Sequence, residues 1–310
     1  MIAHWDEVEP IHREAGHIGA RWTFLGEAAG TVGVGLRRSE IEPGRWATPA
    51  HVHAAEEEIF FVLGGSGVSW QDGEAYDVRA GDCLVHLAGG AAHTLRAGGD
   101  GLDVLAFGER IHVDTGVLPR TGLSWLNRHW IRLADEDDHP FKREAEAGPP
   151  DVPELSPRPS SIVNVADVEP VARAGATVAF SSRHVSNAAG SRRTGLRHVT
   201  GVPGLLTVVP HCHSAEEEIF VVLGGEGTLL LWDGDEPSEH PLRAGSIVAR
   251  PAGTRVAHSF ASGDDPLVYL AYGTREPNDI CFYPRSNKLY FRGVGVIARV
   301  ERLDYWDGEE

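Results

Sequence analysis

The segment AEEEIFFVLGGSG, residues 55–67, occurs again as AEEEIFVVLGGEG, residues 215–227, with 11 of 13 positions identical. Such self-similarity indicates a duplicated structural unit. Upstream matches keep an offset of 160 residues: Leu36-Arg37, Pro43-Gly44, His51 and His53 recur as Leu196-Arg197, Pro203-Gly204, His211 and His213. Downstream the offset grows to 165 between His93 and His258, which indicates small insertions in loops. The sequence therefore predicts two copies of one domain.

Length and linker composition agree with two domains. The chain has 310 residues, about twice the usual domain size. Between the repeats, the charged stretch 135–146 leads into GPPDVPELSPRPSS, whose prolines and lack of apolar periodicity indicate an extended linker. We place the boundary near residue 150, so the predicted domains are residues 1–150 and 151–310.

The repeats have the pattern of β-strands. Short apolar runs such as 58–63, 83–87 and 228–232 are separated by glycine, aspartate and proline at short intervals. Long amphipathic helical patterns are absent from the sequence. These features predict an all-β fold in which each repeat forms a sandwich or barrel.

Composition argues against several classes of partner. The formal net charge of −17 disfavours nucleic acid and anionic membrane surfaces. Cys83, Cys212 and Cys281 form no CxxC pair, which fits a reducing compartment and packing roles. An apolar run long enough to span a membrane is absent, as is an apolar core near the N-terminus that would indicate a signal peptide. We therefore expect a cytoplasmic protein with a small-molecule substrate.

Two histidine pairs are the strongest candidates for chemistry. Each is an HxH pair with a glutamate five residues beyond: His51, His53 and Glu58, then His211, His213 and Glu218. Residues two apart in a strand point to the same face, so each pair presents two imidazoles side by side. The odd step to the glutamate requires a turn into a neighbouring strand, from which the carboxylate reaches the same site.

Three glutamates compete for this role in each repeat. Glu56, Glu57 and Glu58 are consecutive, and strand alternation favours Glu58, because it would share a face with Phe60 and Val62. Glu57 would face the other way. We interpret the pairs Glu56-Glu57 and Glu216-Glu217 as solvated surface.

A fourth ligand is predicted from a later position in each repeat. His93 follows RAGDCLVHLAGGAA and His258 follows RAGSIVARPAGTRVA, so both come after a turn that closes an apolar strand. Three imidazoles and one carboxylate suit Fe, Mn, Zn, Ni or Cu as divalent ions and leave coordination positions open. We therefore predict one divalent transition metal in each repeat.

Both blocks resemble the two sequence motifs of the cupin superfamily, over roughly residues 35–110 and 195–275. The resemblance implies two tandem jelly-roll cupin β-barrels, with metal ligands His51, His53, Glu58 and His93, then His211, His213, Glu218 and His258. It also implies a possible homodimer. Pro251 and Gly253 keep the C-terminal second motif closer to the family pattern, which favours that copy as the catalytic one.

Other residues receive simpler interpretations. His86, whose counterpart is Arg250, is expected at an exposed strand position, with a supporting role beside the metal ligands as the alternative. Arg37 and Arg197 are expected in structural salt bridges, with anchoring of an anionic substrate as the alternative. Segments 111–133 and 276–310 lie outside the sequence repeat. We interpret them as extra strands or loops that pack the barrels together, with a substrate lid as the alternative.

Three functions are consistent with these residues. The first is an oxidoreductase of the dioxygenase type acting on a small polar or aromatic organic acid. The second is a non-oxidative decarboxylase or isomerase of the oxalate decarboxylase kind. The third is a metal-stabilised binding protein without catalysis, against which the complete ligand sets argue.

Overall fold

The computed structural model describes residues 2–111, 113–126, 129–131 and 140–309. Strands dominate the described chain, and the prediction of an all-β protein is confirmed. No helix in these ranges is long and apolar enough to cross a membrane.

The elements of the N-terminal half are β1 (Ile2–His4), β2 (Ile11–Ala15), β3 (Ile18–Thr23), α1 (Leu25–Ala29), β4 (Val34–Ile41), β5 (Val52–His53), β6 (Glu58–Gln71), β7 (Glu74–Arg79), β8 (Asp82–His86), β9 (His93–Glu109), β10 (Thr115–Leu118), β11 (Leu123–Leu126), β12 (His129–Ile131) and α2 (Pro140–Ala147). The helix α2 lies within the charged stretch that was predicted to lead into a linker. Residues 148–160, which follow it, have no helix or strand, as the linker prediction expected.

The elements of the C-terminal half are β13 (Ile162–Asn164), β14 (Val171–Ala174), β15 (Ala179–Arg183), α3 (Val185–Ala188), β16 (Thr194–Gly201), β17 (Cys212–His213), β18 (Glu218–Gly224), β19 (Glu226–Trp232), β20 (Pro237–Arg243), β21 (Ser246–Arg250), β22 (Ala257–Ser262), β23 (Val268–Thr274), β24 (Ile280–Tyr283), β25 (Lys288–Phe291) and β26 (Val296–Arg299). Short 3-10 turns lie at 5–7, 165–167, 284–286 and 292–294.

The two halves have matching main sheets. The N-terminal order is β13-β8-β6-β9-β4-β3-β2, with β7 beside β6, and the C-terminal order is β1-β21-β18-β23-β16-β15-β14, with a separate sheet β20-β19-β22. The strands that carry the glutamates, β6 and β18, lie inside these sheets. Their side chains therefore alternate between the interior of one half and the surface that meets the other half.

Alternation along β6 sets the direction of each side chain. Phe60 and Val62 belong to a core inside the N-terminal half, on the same strand face as Glu58. Ile59 and Phe61 belong to a different core, which includes residues of both halves. The prediction that Glu58, Phe60 and Val62 share a face is therefore confirmed.

A glycine in each repeat allows the strand to bend where the quoted motif ends. Gly65 and Gly225 have φ of +78° and +75°, and a Cβ at either would lie 2.2 Å from a backbone oxygen. A side chain cannot fit there without shifting the neighbouring strand. This explains why both copies of the motif have glycine at this position.

The halves exchange one strand each. The first strand, β1, pairs antiparallel with β21 of the C-terminal half, with Ala3 opposite Ile247. In return β13 pairs with β8 of the N-terminal half, with Val163 opposite Cys83. Each predicted domain, 1–150 or 151–310, therefore contributes the outermost strand of the other's main sheet, and the boundary near residue 150 remains a prediction.

Three of the four glutamates in these pairs are buried, contrary to the prediction of solvated pairs. Glu57 is 1% exposed and Glu217 is 6% exposed. The strands β6 and β18 run along the surface between the halves. Glu57 and Glu217 point in the opposite direction to the glutamates that follow them, so their side chains enter the other half. Glu216 is also buried, where it pairs with Arg292, and Glu56 accepts a hydrogen bond from the Ile111 N–H.

The described residues of segments 111–133 and 276–310 adopt the same arrangement, although their sequences show no obvious repeat. Described residues of the first form the sheet β12-β11-β10-β5, and those of the second form β17-β24-β25-β26. Each adds to the HxH strand of its own half, so these are extra strands beside the predicted site. The structural repeat therefore continues beyond the sequence repeat.

Candidate metal centres

Backbone pairing brings the first and fourth histidines of each set together. The backbone N–H of His51 donates to the oxygen of His93 at 3.1 Å, and the N–H of His93 donates to the oxygen of His51 at 2.9 Å. His211 and His258 are paired in the same way, at 3.2 and 2.8 Å. Two ligands from distant parts of the chain are thereby fixed side by side.

The four side chains predicted in the N-terminal half converge on one point. The Nε2 atoms of His51, His53 and His93 lie 3.4, 3.4 and 3.0 Å from Oε2 of Glu58. Atoms at these separations can share a single metal ion, since ligand–metal bonds are about 2.0–2.2 Å long.

The C-terminal half repeats this geometry. The Nε2 atoms of His211, His213 and His258 lie 3.9, 3.3 and 3.3 Å from Oε2 of Glu218. All eight residues singled out in the sequence are therefore brought together in two sets. Their assignment as metal ligands remains a prediction.

The polar atoms at the C-terminal centre fit a metal. Among the described residues, Nε2 of His213, Nε2 of His258 and Oε2 of Glu218 are buried and have no hydrogen-bond partner. Buried polar atoms are rarely left unsatisfied, because desolvation without a partner is costly. A divalent cation is a partner that would satisfy two imidazole nitrogens and a carboxylate oxygen together.

The opposite ring nitrogens are already occupied. Nδ1 of His51 and of His211 lies 2.9 and 2.7 Å from the backbone oxygens of Pro49 and Val209. Nδ1 of His93 lies 3.1 Å from the oxygen of Ala91. A backbone oxygen can only accept, so it fixes the proton on Nδ1 and leaves the Nε2 lone pair for a metal.

Two aspartates that were not predicted complete the centres. Oδ2 of Asp114 lies 2.6 Å from Nδ1 of His53, and Oδ2 of Asp279 lies 2.7 Å from Nδ1 of His213. The second oxygen of each accepts backbone N–H groups in the turn before the ligand glutamate, at 2.8 Å from Ala55 and 3.0 Å from Ala215. Each aspartate therefore orients both the second histidine and the turn.

A sequence signal for the aspartates exists. Both halves contain the pattern GxRxxxD, at residues 108–114 and 273–279, with the offset of 165 that also relates His93 to His258. Only three of its seven positions match, so the pattern is hard to notice without the structure.

The carboxylates and the second histidines influence each other's protonation. Burial would raise the pKa of Glu58, but the positive charge of His53 and the surrounding imidazole hydrogen bonds hold it well below its usual value. Burial alone would lower the pKa of His53, but Glu58, Asp114 and Glu56 together raise it to about 10. For the same reasons the pKa of His213 is raised to about 9. Glu58 is thus kept ionised, as a ligand carboxylate must be.

Different aromatic side chains cover the two centres. The ring of Trp125 lies 5.1 Å from that of His53 and 6.0 Å from that of His51. In the C-terminal half, Tyr283 is stacked on His211 with ring centroids 5.9 Å apart. Both aromatic residues belong to the added sheets, so these sheets cover the centres as well as extending the HxH strands.

His86 lies at the N-terminal centre, contrary to the prediction of an exposed position, and Cys281 is buried beside the C-terminal centre. His86 is 6% exposed and is stacked on His93, with ring centroids 3.6 Å apart. The residue before it on the strand points into the core shared by both halves, so by alternation His86 faces the interior of the N-terminal half. Cys281, expected only to pack, has its sulfur within 4.8 Å of a ring nitrogen of both His211 and His213.

A cavity of about 680 Å³ opens onto the C-terminal centre. This volume is typical of small-molecule sites. Its wall includes the aromatic residues Phe180, Phe220, Tyr269 and Tyr283, together with Ser182. Four arginines also line it: Arg173, Arg197, Arg275 and Arg292.

The equivalent space in the N-terminal half is occupied by aromatic rings. Trp22 makes edge contacts with Phe24 and Phe141, with centroids 6.4 and 6.1 Å apart, and Arg37 lies 4.4 Å above its ring. Trp22 is opposite Ser39, and Ser182 is opposite Val199. Ser39 and Val199 are equivalent positions of the two repeats, so Ser182 lies where Trp22 lies in the other half. The halves therefore differ in access.

The predicted salt bridges of Arg37 and Arg197 are not formed within the described ranges. Arg37 donates to the hydroxyl of Ser39 at 3.2 Å and stacks on Trp22. Arg197 is exposed to the cavity and has no hydrogen-bond or ion-pair partner among those residues.

The fold and the paired centres define a bicupin, a protein with two cupin domains in one chain. A sequence profile of the cupin domain matches residues 37–107 and 197–273, and these segments hold the predicted ligand sets of both halves. The chain belongs to the cupin superfamily, with two tandem cupin domains.

Solved structures of oxalate decarboxylase from Bacillus subtilis are similar to this chain. A mutant form has 18% sequence identity and a TM-score of 0.60, over 88% of this chain and 76% of that chain. A form whose Mn(II) centres were studied by EPR has 17% identity and a TM-score of 0.57, over 88% and 76%. At these identities the likeness establishes the fold. No curated protein sequence matches the chain.

Proposed function

We propose that the chain is a metal-dependent decarboxylase of organic acids, with its chemistry at the C-terminal centre. The observation that carries the proposal is the arginine-lined cavity, which includes His211, His213, Glu218 and His258 in its wall. Arginine binds carboxylates through paired hydrogen bonds. The arginines of this cavity are positive side chains in a protein whose formal net charge is −17. An acid is therefore the substrate class that this cavity favours.

Each set of three histidines and one glutamate would hold one divalent transition metal. Such an ion supplies a Lewis acid that stabilises negative charge on substrate oxygens. Imidazole and carboxylate ligands accept several metals. We favour Mn(II), since the similar oxalate decarboxylase structures include one described by its Mn(II) centres.

The chain's own residues would position the acid and exclude water. Asp279 fixes the ring of His213 at 2.7 Å, and Phe220 lies 5.4 Å from His258, forming an apolar wall on that side. Burial raises the pKa of Tyr283, so its hydroxyl stays protonated beside His211. Decarboxylation breaks the bond to the carboxyl carbon and releases carbon dioxide, and the remaining carbon must take up a proton. Tyr283 is a donor for it.

Access favours the C-terminal centre over the N-terminal one. The aromatic cluster of Trp22, Phe24 and Phe141 occupies the space that would lead to the N-terminal centre. We therefore propose that the N-terminal metal stabilises its domain. This agrees with the sequence-based preference for the C-terminal repeat.

The dioxygenase hypothesis is the second candidate, because the same ligands would support it with iron. Oxygen uptake separates the two functions. The similar solved structures are those of a decarboxylase, which favours the non-oxidative reaction.

The test begins with untagged protein loaded with Mn(II) and a panel of mono- and dicarboxylic acids. Release of carbon dioxide and consumption of dissolved oxygen are measured together. We expect carbon dioxide without net oxygen uptake, and a larger loss of activity in His213→Ala than in His53→Ala. Stoichiometric oxygen uptake would establish the oxidative alternative. Binding of acids without turnover of any would leave a binding protein.

A further inference from the structure

We propose that Arg197 binds a second anionic group of the substrate, so that the ligand of the C-terminal cavity is an extended organic dianion. This inference rests on the proposed function, in which the first carboxylate lies at the metal centre. It names the class of substrate and a residue that selects it.

The strand register places Arg197 at a distance from the metal centre but on the same wall. Arg197 is opposite Ala271, which is opposite Phe220 on its other side. Residues in register across a sheet share a face, so Arg197 points to the interior as Phe220 does. Phe220 lies two residues beyond Glu218 on the same strand. Arg197 is therefore two strands away from Glu218 and displaced from it by two residues along the strand direction. With strands about 4.8 Å apart, the two positions are separated by about 10 Å or more.

The guanidinium of Arg197 is available for a ligand. It has no hydrogen-bond or ion-pair partner in the part of the chain that the structure describes, whereas the other three cavity arginines do. Arg173 donates to the oxygen of Ala172. Arg275 donates to Asn187 and to the oxygen of Ser191, and Arg292 donates to Glu216. An unpaired guanidinium close to other positively charged side chains favours the binding of an anion.

A second unsatisfied group lies in the same wall. Ser182 lines the cavity, and its buried hydroxyl has no partner among the described residues. Ser182 is opposite Val199. Val199 is two residues beyond Arg197 on the same strand, so the two side chains lie on the same face. A ligand that reached Arg197 would therefore also have a hydroxyl donor nearby.

The other half shows what removes this subsite. Arg37 occupies the position equivalent to Arg197, but the ring of Trp22 lies 4.4 Å from its guanidinium. Serine at position 182 replaces that indole. The subsite therefore depends on one large-to-small difference between the halves.

Cavity size argues against the smallest diacids. A volume of about 680 Å³ is roughly that of twenty water molecules, at about 30 Å³ each. Oxalate has only six non-hydrogen atoms, so it would fill a small part of this space and could not bridge the centre and Arg197. The substrate class is thus a longer acid with a carboxylate or phosphate-like group at its far end.

Binding is measured by calorimetry on the metal-loaded full chain, with oxalate, succinate and adipate, and with hexanoate as the monoanion matched to adipate. We expect adipate to bind more tightly than hexanoate and oxalate. Arg197→Gln should weaken adipate by about 10- to 100-fold and leave hexanoate unchanged, because only adipate has a second charge to lose its partner. Arg37→Gln is the matched control and should change neither.

A second variant tests the cavity without removing the arginine. Ser182→Trp introduces the side chain found at the equivalent position of the other half, and should abolish adipate binding while metal content per chain stays at the wild-type value. A phosphonate-terminated acid of matched length that bound more tightly than adipate would assign the second group as phosphate-like.

The inference falls if wild type does not prefer adipate to hexanoate, or if Arg197→Gln keeps that preference. These outcomes are independent of catalysis, since no turnover is measured. If Arg197→Gln removes the preference but no acid releases carbon dioxide, the proposed decarboxylation fails and the anion subsite stands.

Discussion

Glu57 and Glu217 lie at equivalent positions of the two repeats, and each enters the other half to bind the turn between a helix and a strand. Glu57 accepts hydrogen bonds from Ser191, Arg192 and Thr194, and Glu217 accepts them from the backbone N–H groups of residues 32–34. The relationship is reciprocal, as expected for two copies of one domain packed about an approximate twofold axis.

Glu57→Ala should lower the free energy of unfolding by about 2–4 kcal/mol, because it removes the carboxylate acceptor of the buried Thr194 N–H and of the Thr194 hydroxyl. Denaturant unfolding measures the change. Glu226→Ala, at an exposed glutamate, is the control. A loss for Glu57→Ala no greater than for the control would contradict the structural role.

Metal content should separate the two centres. We expect about two metal ions per wild-type chain, falling by one in His53→Ala and by one in His213→Ala, because each removes a ligand from a single set. Elemental analysis by mass spectrometry of untagged protein gives the number. Equal metal content in all three proteins would show that the ligands are assigned incorrectly.

Asp114→Asn and Asp279→Asn should each weaken metal binding by about 10- to 100-fold at one centre, since the uncharged amide orients the imidazole less firmly. Competition with a chelator measures this affinity. Asp265→Asn, an exposed aspartate, should have no effect. Wild-type affinity in both buried variants would mean that the aspartates do not support the histidines.

Gly116→Ala should destabilise the protein by about 1–3 kcal/mol, because a Cβ at this glycine would lie 1.9 Å from the ring of Trp125. Displacement of that indole should also change the tryptophan fluorescence. The control is Gly99→Ala, where a Cβ would meet nothing within 4 Å. Unchanged stability and fluorescence would argue against this packing.

Removal of residues 2–7 should loosen the C-terminal half. The deletion uncovers the edge of β21, whose residues 246–248 pair with β1 on that side. We expect faster amide hydrogen exchange in β21, measured by mass spectrometry, with β8 unchanged because β13 still covers it. Equal exchange in β21 with and without the segment would contradict the strand exchange.

Much of each centre could be predicted from sequence, because ligand spacing and strand alternation act locally. The HxH pairs and the choice of Glu58 over Glu57 required only the two-residue period of a strand. Asp114 and Asp279 were missed because they act across a turn from the residues they orient. Cytoplasmic location and a homodimer remain predictions.

Tertiary features were harder to predict. The exchanged strands β1 and β13 have three residues each, too few for a periodic signal. The open C-terminal cavity depends on Ser182 standing where Trp22 stands in the other half, which matters only once both are placed in the same register. His86 was misassigned because neighbours on both faces of its strand are buried.

The exchange of β1 also constrains how the protein is made. Ile2 leaves the ribosome 246 residues before its partner Val248. Until then β1 has no sheet to join. An unpaired strand is a site for association with other chains, so expression of the protein should depend on chaperones and on the speed of translation.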